Sequence, residues 1–349
     1  MDFFSSNIIE WYGNFKRDLP WRNTKDPYKI WLSEIILQQT QVKQGLPYYQ
    51  KFCETFPNVE KLANAKEEEV LKLWQGLGYY SRARNLHFAS KQIINTFEGK
   101  FPNTHKDILS LKGVGEYTAA AIASFSYKLP YAVVDGNVFR LLSRFYGIDT
   151  PINSGPGKKL FSELAQKVLD KTRPDVNNQA IMEFGALICK PKEPNCNECS
   201  LQDNCKAFQK KEINKFPVKI KKGKQKKLYF EYLFITKKGS TYIKKRVDKG
   251  IWKNLYEFPY LEFEQSESEE EVINNIKTNK LLNGAKFKLI KNSEIYKHIL
   301  SHRIINARVW HIEIEDDLKN NQWDKIAIES INDYPMPRLM EKFLEANAF

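Results

Sequence analysis

Four of the five cysteines fall in one short stretch, with the spacing Cys189-x6-Cys196-x2-Cys199-x5-Cys205. Four thiolates from a compact loop can enclose a cubic iron–sulfur cluster or a single tetrahedral zinc ion. Zinc loops more often carry two C-x2-C pairs, and only Cys196 and Cys199 have that spacing here. The spacing leaves both metals open. A disulfide scaffold would be denser and more dispersed. Cys53 stands apart and reads as a core residue.

Two carboxylates invite a second chemistry. Glu34 sits in Ile30-Trp31-Leu32-Ser33-Glu34-Ile35-Ile36-Leu37, so on a helix its neighbours are Ile30, Trp31 and Leu37. A carboxyl on that apolar face loses hydration, its pKa rises, and it can hold a proton near neutral pH. The competing reading is a buried glutamate paired with Arg17 or Arg22. Asp135 lies where the apolar run Val133-Val134 meets Gly136-Asn137-Val138, the place of a helix N-cap. A capping aspartate accepts N–H bonds and stays ionised, so it can also stabilise a nearby cation. Cleaving a glycosidic bond needs a proton donor to the leaving group and an anion beside the oxocarbenium-like sugar. Two carboxyls whose pKa values are driven apart satisfy both needs. The spacing of Glu34 and Asp135 along the chain says nothing of their proximity.

A third feature, Leu111-Lys112-Gly113-Val114-Gly115-Glu116-Tyr117, separates two apolar helical stretches. Glycines in a tight helix–helix turn let backbone N–H groups approach a phosphate, with a helix N-terminus behind them. A helix C-cap and turn would look the same.

These residues need elements to carry them. Residues 1–208 read as helical, with apolar positions at helical spacing in Val70–Trp74 and Leu160–Leu169, and turns such as Gln75-Gly76-Leu77-Gly78 between them. Pro27 and Pro102 sit just ahead of helical stretches. Residues 209–227 are lysine-rich and read as an exposed linker. Residues 228–349 are mostly β in pattern. Leu228–Thr236, Lys237-Lys238-Gly239-Ser240 and Thr241–Lys245 form a hairpin signature, and Trp310, Ile312 and Ile314 alternate as in a half-buried strand. The expected organisation is two domains joined by a basic linker.

The formal net charge is +13, an excess that attracts a polyanion, nucleic acid first among them, though it also serves simple solubility. No apolar run reaches the roughly 20 residues that span a bilayer. Met1–Tyr12 has no basic start, so it does not read as a secretory signal. The expected setting is cytoplasmic, with no membrane partner.

The cysteine spacing and the Gly113–Gly115 turn together resemble the endonuclease III superfamily of DNA glycosylases. The resemblance narrows to the adenine DNA glycosylases over Arg17-Asp18-Leu19-Pro20-Trp21-Arg22, Trp31-Leu32-Ser33-Glu34, Leu37-Gln38-Gln39-Thr40-Gln41-Val42, Gly76-Leu77-Gly78-Tyr79-Tyr80-Ser81-Arg82 and Val134-Asp135-Gly136-Asn137-Val138. It implies a multi-domain chain: an all-α helix-hairpin-helix glycosylase domain with an iron–sulfur loop, then an α+β Nudix-like domain. It implies a 4Fe–4S cluster on Cys189, Cys196, Cys199 and Cys205. Adenine opposite 8-oxoguanine or guanine in duplex DNA would be the substrate. Proximity of Glu34 and Asp135 is implied by the resemblance alone: Glu34 would protonate the adenine and then activate water, and Asp135 would stabilise the sugar cation, with Tyr117 and Asn137 in support. Arg17 and Arg22 would close the pocket around the flipped base. Gln39 and Tyr79 would fill the gap left in the stack, and Gly113, Val114 and Gly115 would hold a phosphate. Bifunctional endonuclease III carries a catalytic lysine where Tyr117 stands, and tyrosine cannot form a Schiff base.

Beyond the linker, Gly250-x-Trp252 and Glu257-Phe258-Pro259 resemble the lead-in to a Nudix box. The hydrolase motif R-E-x-x-E-E does not follow; Ser266-Glu267-Ser268-Glu269-Glu270-Glu271 stands there and reads as a solvated acidic face. Ser301 and His302 match the end of the family's lesion-sensing Phe-Ser-His, with Leu300 replacing the phenylalanine. They are the expected contacts to 8-oxoguanine.

Overall fold

The structure, a computed structural model, describes residues 3–347 apart from 222, 224, 249, 279, 280, 283, 301 and 319–321. The chain divides into two compact units: Met1–Asn64 with Asn85–Lys222, and Ala65–Arg84 with Gly223–Phe349. The first half of the sequence therefore lends a segment to the second unit.

The chain opens with helices α1 (Phe3–Phe15), α2 (Pro27–Leu37), α3 (Val42–Thr55) and α4 (Val59–Asn64). Helix α5 (Glu67–Leu73) follows, then α6 (Ser81–Thr96), α7 (His105–Leu109), α8 (Glu116–Tyr127) and α9 (Gly136–Tyr146). Helices α10 (Gly155–Val168), α11 (Pro174–Leu187) and α12 (Lys206–Gln209) complete the helical part. Helix α2 starts on Pro27 at its first position, with the Asp26 side chain accepting from Tyr28 N–H. From Ile30 to Ile36 every residue of α2 is buried, so it is a central helix rather than a surface one. Helix α8 packs against it, and its small residues Ala119, Ala120, Ala121 and Ala123 are all buried. A second core joins α1, α9, α10 and α11 through Phe4, Ile8, Trp11, Leu142, Phe161 and Phe184, and reaches Cys189 and Leu201.

The lysine-rich stretch is not free over its whole length. Ile152 N–H donates to Val218 O, Asn153 bonds Ile220 through both its amide groups, and Phe216 is buried. These backbone ties, which lysine spacing cannot reveal, fasten residues 216–220 to the first unit.

The second unit is built on a mixed sheet with strands β1 (Lys226–Lys237), β2 (Ser240–Lys245), β3 (Tyr256–Glu257) and β4 (Tyr260–Phe263). Strands β5 (Phe287–Asn292), β6 (Tyr296–Ile299), β7 (Arg303–Ile314) and β8 (Asp324–Ala327) complete it. β1 and β2 form the expected hairpin, with Lys237 opposite Ser240. At the centre β1 and β7 run parallel, Leu233 opposite Trp310 and Ile235 opposite Ile312. Alternation sends Leu233, Ile235, Trp310 and Ile312 to one face, where Val272 and Ile276 of α13 (Glu269–Thr278) cover them. Phe234 takes the other face, against Phe258 and against Phe343 of α14 (Arg338–Asn347). A buried ion pair locks the strand pair: Arg308 grips both oxygens of Glu231, and Trp310 Nε1 donates to the same carboxylate. Of the acidic run, Glu269 begins α13 with an exposed side chain 3.4 Å from Arg308.

Candidate active site

The complete burial of α2 carries Glu34 out of water. Its residue is 7% exposed, and desolvation pushes the carboxyl up to about 7, against a hydrogen bond from Tyr117. The Tyr117 hydroxyl, near the start of α8, donates to Glu34 Oε2 at 2.6 Å. Asp135 caps α9: its Oδ1 accepts from Asn137 N–H at 2.9 Å and Val138 N–H at 2.8 Å, and its Oδ2 from Asn137 Nδ2 at 2.7 Å. Burial lifts Asp135 above the ordinary aspartate range, against those three donors, which favour the anion. This corrects the expectation of opposed environments, because both carboxyls are pushed upward by desolvation. They differ in donors. Glu34 has one hydroxyl bond and Asp135 has three, so hydrogen bonding favours the Asp135 anion more strongly than the Glu34 anion. Each anion disfavours the other, as the upward push of Asp135 on Glu34 records.

Asn137 is itself held. Its Oδ1 accepts from Arg140 Nη2 at 2.8 Å, and Arg140 also donates to the carbonyls of Gly185 and Cys189. The carboxylate is thus tied through two side chains to the backbone where the cysteine loop begins.

Arg17 and Arg22 do not pair with Glu34. Both grip Glu183 of α11, with Arg17 Nη2 at 2.6 Å and Arg22 Nη2 at 2.7 Å from Oε2. Burial alone would raise Glu183, but the two guanidiniums and the Arg17 N–H hold it at about 2. Arg22 also lines, with Glu34, a pocket whose other lining residues are Trp21, Ile30, Ser33, Phe125, Gln179 and Met182. Its lining mixes apolar and aromatic side chains with four polar or charged ones, the general composition of a small-molecule site.

The Gly113 turn links α7 to α8. Gly113 has φ +80°, and a Cβ there would stand 2.6 Å from the Asn85 side chain, so only glycine fits. Gly115 is the N-cap of α8 and offers no side-chain cap, leaving first-turn N–H groups for an anion. Val114 is buried beneath the turn.

Gln39 and Tyr79 are both exposed, and both take left-handed backbone conformations, φ 56° and 48°. Non-glycine residues seldom adopt this region, and those that do cluster where a side chain must be presented in a fixed direction. Gln39 lies in the first unit and Tyr79 in the second.

The four loop cysteines line one cavity, with Leu141, Arg144 and Ile188 among its other walls. Arg144 Nη1 lies 3.4 Å from Cys189 Sγ. Burial raises the thiols of Cys196 and Cys205, and pushes Cys199 up to about 12. Among the described residues, no three His, Cys, Asp or Glu side chains are grouped as a single metal ion would need.

In the second unit, His302 is exposed in the bend before β7, its carbonyl accepting from Lys226 N–H, and Leu300 N–H donates to Arg303 O across the turn. Ser301 lies outside the described residues. Among the described residues no helix is long and apolar enough to cross a membrane.

Sequence reasoning missed Glu183, Gln179 and Arg140. Arg140 lies one helical turn beyond Asn137, a spacing that could have revealed it. Glu183 and Gln179 carry no local signal, because their partners come from α1 and the loop after it.

A helical unit with a glycine hairpin leading into α8, a buried carboxyl on α2 and an aspartate capping α9 has the arrangement of a helix-hairpin-helix base-excision glycosylase. A model of the HhH-GPD superfamily base excision DNA repair protein matches residues 32–171, and one of the NUDIX domain matches residues 231–346. An adenine DNA glycosylase of Buchnera aphidicola subsp. Schizaphis graminum is 35% identical over 349 residues, covering 98% of each chain. That of Mus musculus is 42% identical over 216 residues, covering 59% of this chain and 42% of that protein. This chain belongs to the adenine DNA glycosylase family. Among solved structures, a thermostable thymine-DNA glycosylase matches with TM-score 0.56 and 32% identity, over 59% of this chain and 95% of that one. A non-covalent endonuclease III–DNA complex matches with TM-score 0.53 and 18% identity, over 60% and 95%, a likeness of fold alone.

Proposed function

We propose that this chain hydrolyses the N-glycosidic bond of adenine in duplex DNA, with 8-oxoguanine or guanine opposite, in base excision repair. The observation that carries this reading is a desolvated carboxyl with a single hydroxyl donor, Glu34, lining a pocket with Trp21, Ile30, Phe125 and Met182. The cavity takes the extruded adenine between Trp21, Ile30, Phe125 and Met182. Arg22, locked by Glu183, holds the cavity edge, and Arg17 supports Arg22.

Protonated Glu34 donates its proton to the leaving adenine, so the base departs neutral and the C–N bonding pair goes with it. Asp135 remains anionic on its three donors and stabilises the oxocarbenium-like sugar. Glu34, now a carboxylate, takes a proton from the water that adds to the sugar. Tyr117 and Asn137 orient the two carboxyls. Tyr117 is no amine, so the reading is a monofunctional glycosylase.

The hairpin Gly113-Val114-Gly115 binds a backbone phosphate, and Gln39 and Tyr79 fill the vacated stack. A 4Fe–4S cluster would be held by the four cysteines, which line one cavity, with Arg144 Nη1 3.4 Å from Cys189 Sγ, and supply the thiolates such a cluster prefers. When bound, that cluster supplies structure to the loop and no step of the hydrolysis. Ser301 and His302 contact 8-oxoguanine. The chain works as a monomer in the cytoplasm, at the nucleoid.

The test is single-turnover base release from duplexes carrying adenine opposite 8-oxoguanine, guanine or cytosine. Release fastest opposite 8-oxoguanine supports the reading. Binding of the 8-oxoguanine duplex without release would overturn it.

A further inference from the structure

The segment Ala65–Arg84 belongs to the second unit, although sequence order places it in the helical half. Its own residues show why. Val70, Leu71, Trp74, Leu77 and Tyr80 are all buried. Glu68 Oε1 accepts from Lys245 Nζ at 2.8 Å and from the Tyr256 hydroxyl at 2.9 Å. Glu67 accepts from Asn254 Nδ2, Tyr80 donates its hydroxyl to Met336 O, and Arg84 Nη1 donates to Lys253 O at 2.8 Å. Five bonds thus reach the segment from β2, the turn before β3, β3 itself and the stretch before α14.

Between these anchors stands the Gly76–Tyr79 turn. Trp74 Nε1 donates to Gly78 O at 3.0 Å, and Arg82 lies over the rings of Trp74 and Tyr79 at 5.0 and 5.7 Å. Gly76 and Gly78 have φ +95° and +71°, and Tyr79 follows with φ +48°. A tyrosine in that conformation is strained and persists only where its surroundings over-determine it. Here the surroundings that fix the two ends of the turn come from the second unit. Lys245, Tyr256 and Asn254 have no part in the chemistry of the glycosidic bond, and their bonds to α5 need another explanation.

We propose that the second unit is the seat of the Tyr79 turn, with Glu68 and Lys245 as positioning residues that set the aim of Tyr79 into the DNA stack. This rests on the reading that Tyr79 fills the gap left by the extruded adenine. The second unit then contributes to base extrusion itself, separately from any contact to the opposite base.

The experiment uses the full-length chain and a duplex with 2-aminopurine beside the target adenine, whose fluorescence reports extrusion, under saturating enzyme. Glu68→Lys and Lys245→Glu should each slow the extrusion phase about tenfold, and the double swap should restore it to within about threefold, since the charges again pair. In a Tyr79→Ala background the same substitutions should change nothing further. Tyr256→Phe removes one bond without a charge change and should give a smaller slowing of the same phase, which covers the case in which a charge variant does not fold. Extrusion unchanged in Glu68→Lys, with Tyr79→Ala slow, would overturn the seat and leave the Tyr79 reading intact. Unchanged extrusion in Tyr79→Ala would overturn both. Slowing by Glu68→Lys that persists without Tyr79 would show the seat acting through another group, and would overturn the proposal.

Discussion

The Tyr117 hydroxyl stands 2.6 Å from Glu34 Oε2 and is the donor that opposes desolvation of that carboxyl. A hydrogen bond to a carboxylate favours its charged form, so Tyr117 holds the Glu34 pKa down toward about 7 from a still higher value. Tyr117→Phe should therefore move the limb on which the excision rate falls to higher pH, by up to about one unit. Single-turnover adenine release measured from pH 5 to 9 would show it. A limb that stays in place would mean that the rate follows another group.

Glu34 should also cost stability. A carboxyl raised from its ordinary value to about 7 binds its proton more tightly in the folded state. Between those two values the folded state carries the extra proton, so stability falls as pH rises through the window and stays low above it. Glu34→Gln removes the buried anion while keeping the shape. It should match the wild type near pH 4.5 and exceed it by about 1–3 kcal/mol at pH 8. Urea denaturation at the two pH values gives the comparison.

Glu183 should behave in the opposite sense. Its carboxyl, held at about 2, contributes stability that is present above the unfolded value and lost as pH falls toward 2. Glu183→Gln leaves Arg22, which is mostly buried, without its anion. The expected loss is about 3 kcal/mol at pH 7, read by denaturant melts. Adenine release should fall as well, because Arg22 lines the same cavity as Glu34.

The four cysteines should bind iron. Purified protein should be brown, absorb broadly near about 400 nm, and contain iron rather than zinc. Cys199→Ser should bleach that colour and loosen the loop, with lower thermal stability as the measured effect. A colourless, zinc-loaded, fully active preparation would contradict the assignment.

What the sequence disclosed depended on how local the cause was. The burial of Glu34 was legible because its apolar neighbours lie within one helical turn, and Asp135 as a cap because capping is a two- or three-residue affair. The β1–β2 hairpin was legible for the same reason. The pairing of Arg17 and Arg22 with Glu183 was not, since more than 160 positions separate the partners and no periodicity connects them. The upward push on Asp135 was hidden by its cap: the donors are local, but the desolvation that outweighs them comes from the whole fold. Nor could a linear reading show Ala65–Arg84 folding with residues more than 160 positions away, because its amphipathic pattern reports that it buries a face, not against what.

The most direct measurement is single-turnover adenine release by Glu34→Gln from a duplex with one adenine opposite 8-oxoguanine, alongside its binding affinity for the same duplex. The amide keeps the shape of the side chain but cannot give up an acidic proton or take one from water. Binding within a few fold of the wild type, with release slowed by about 10³-fold or more, is the expected result. Release at near wild-type rates would contradict the role of Glu34 as the acid and, with it, the mechanism.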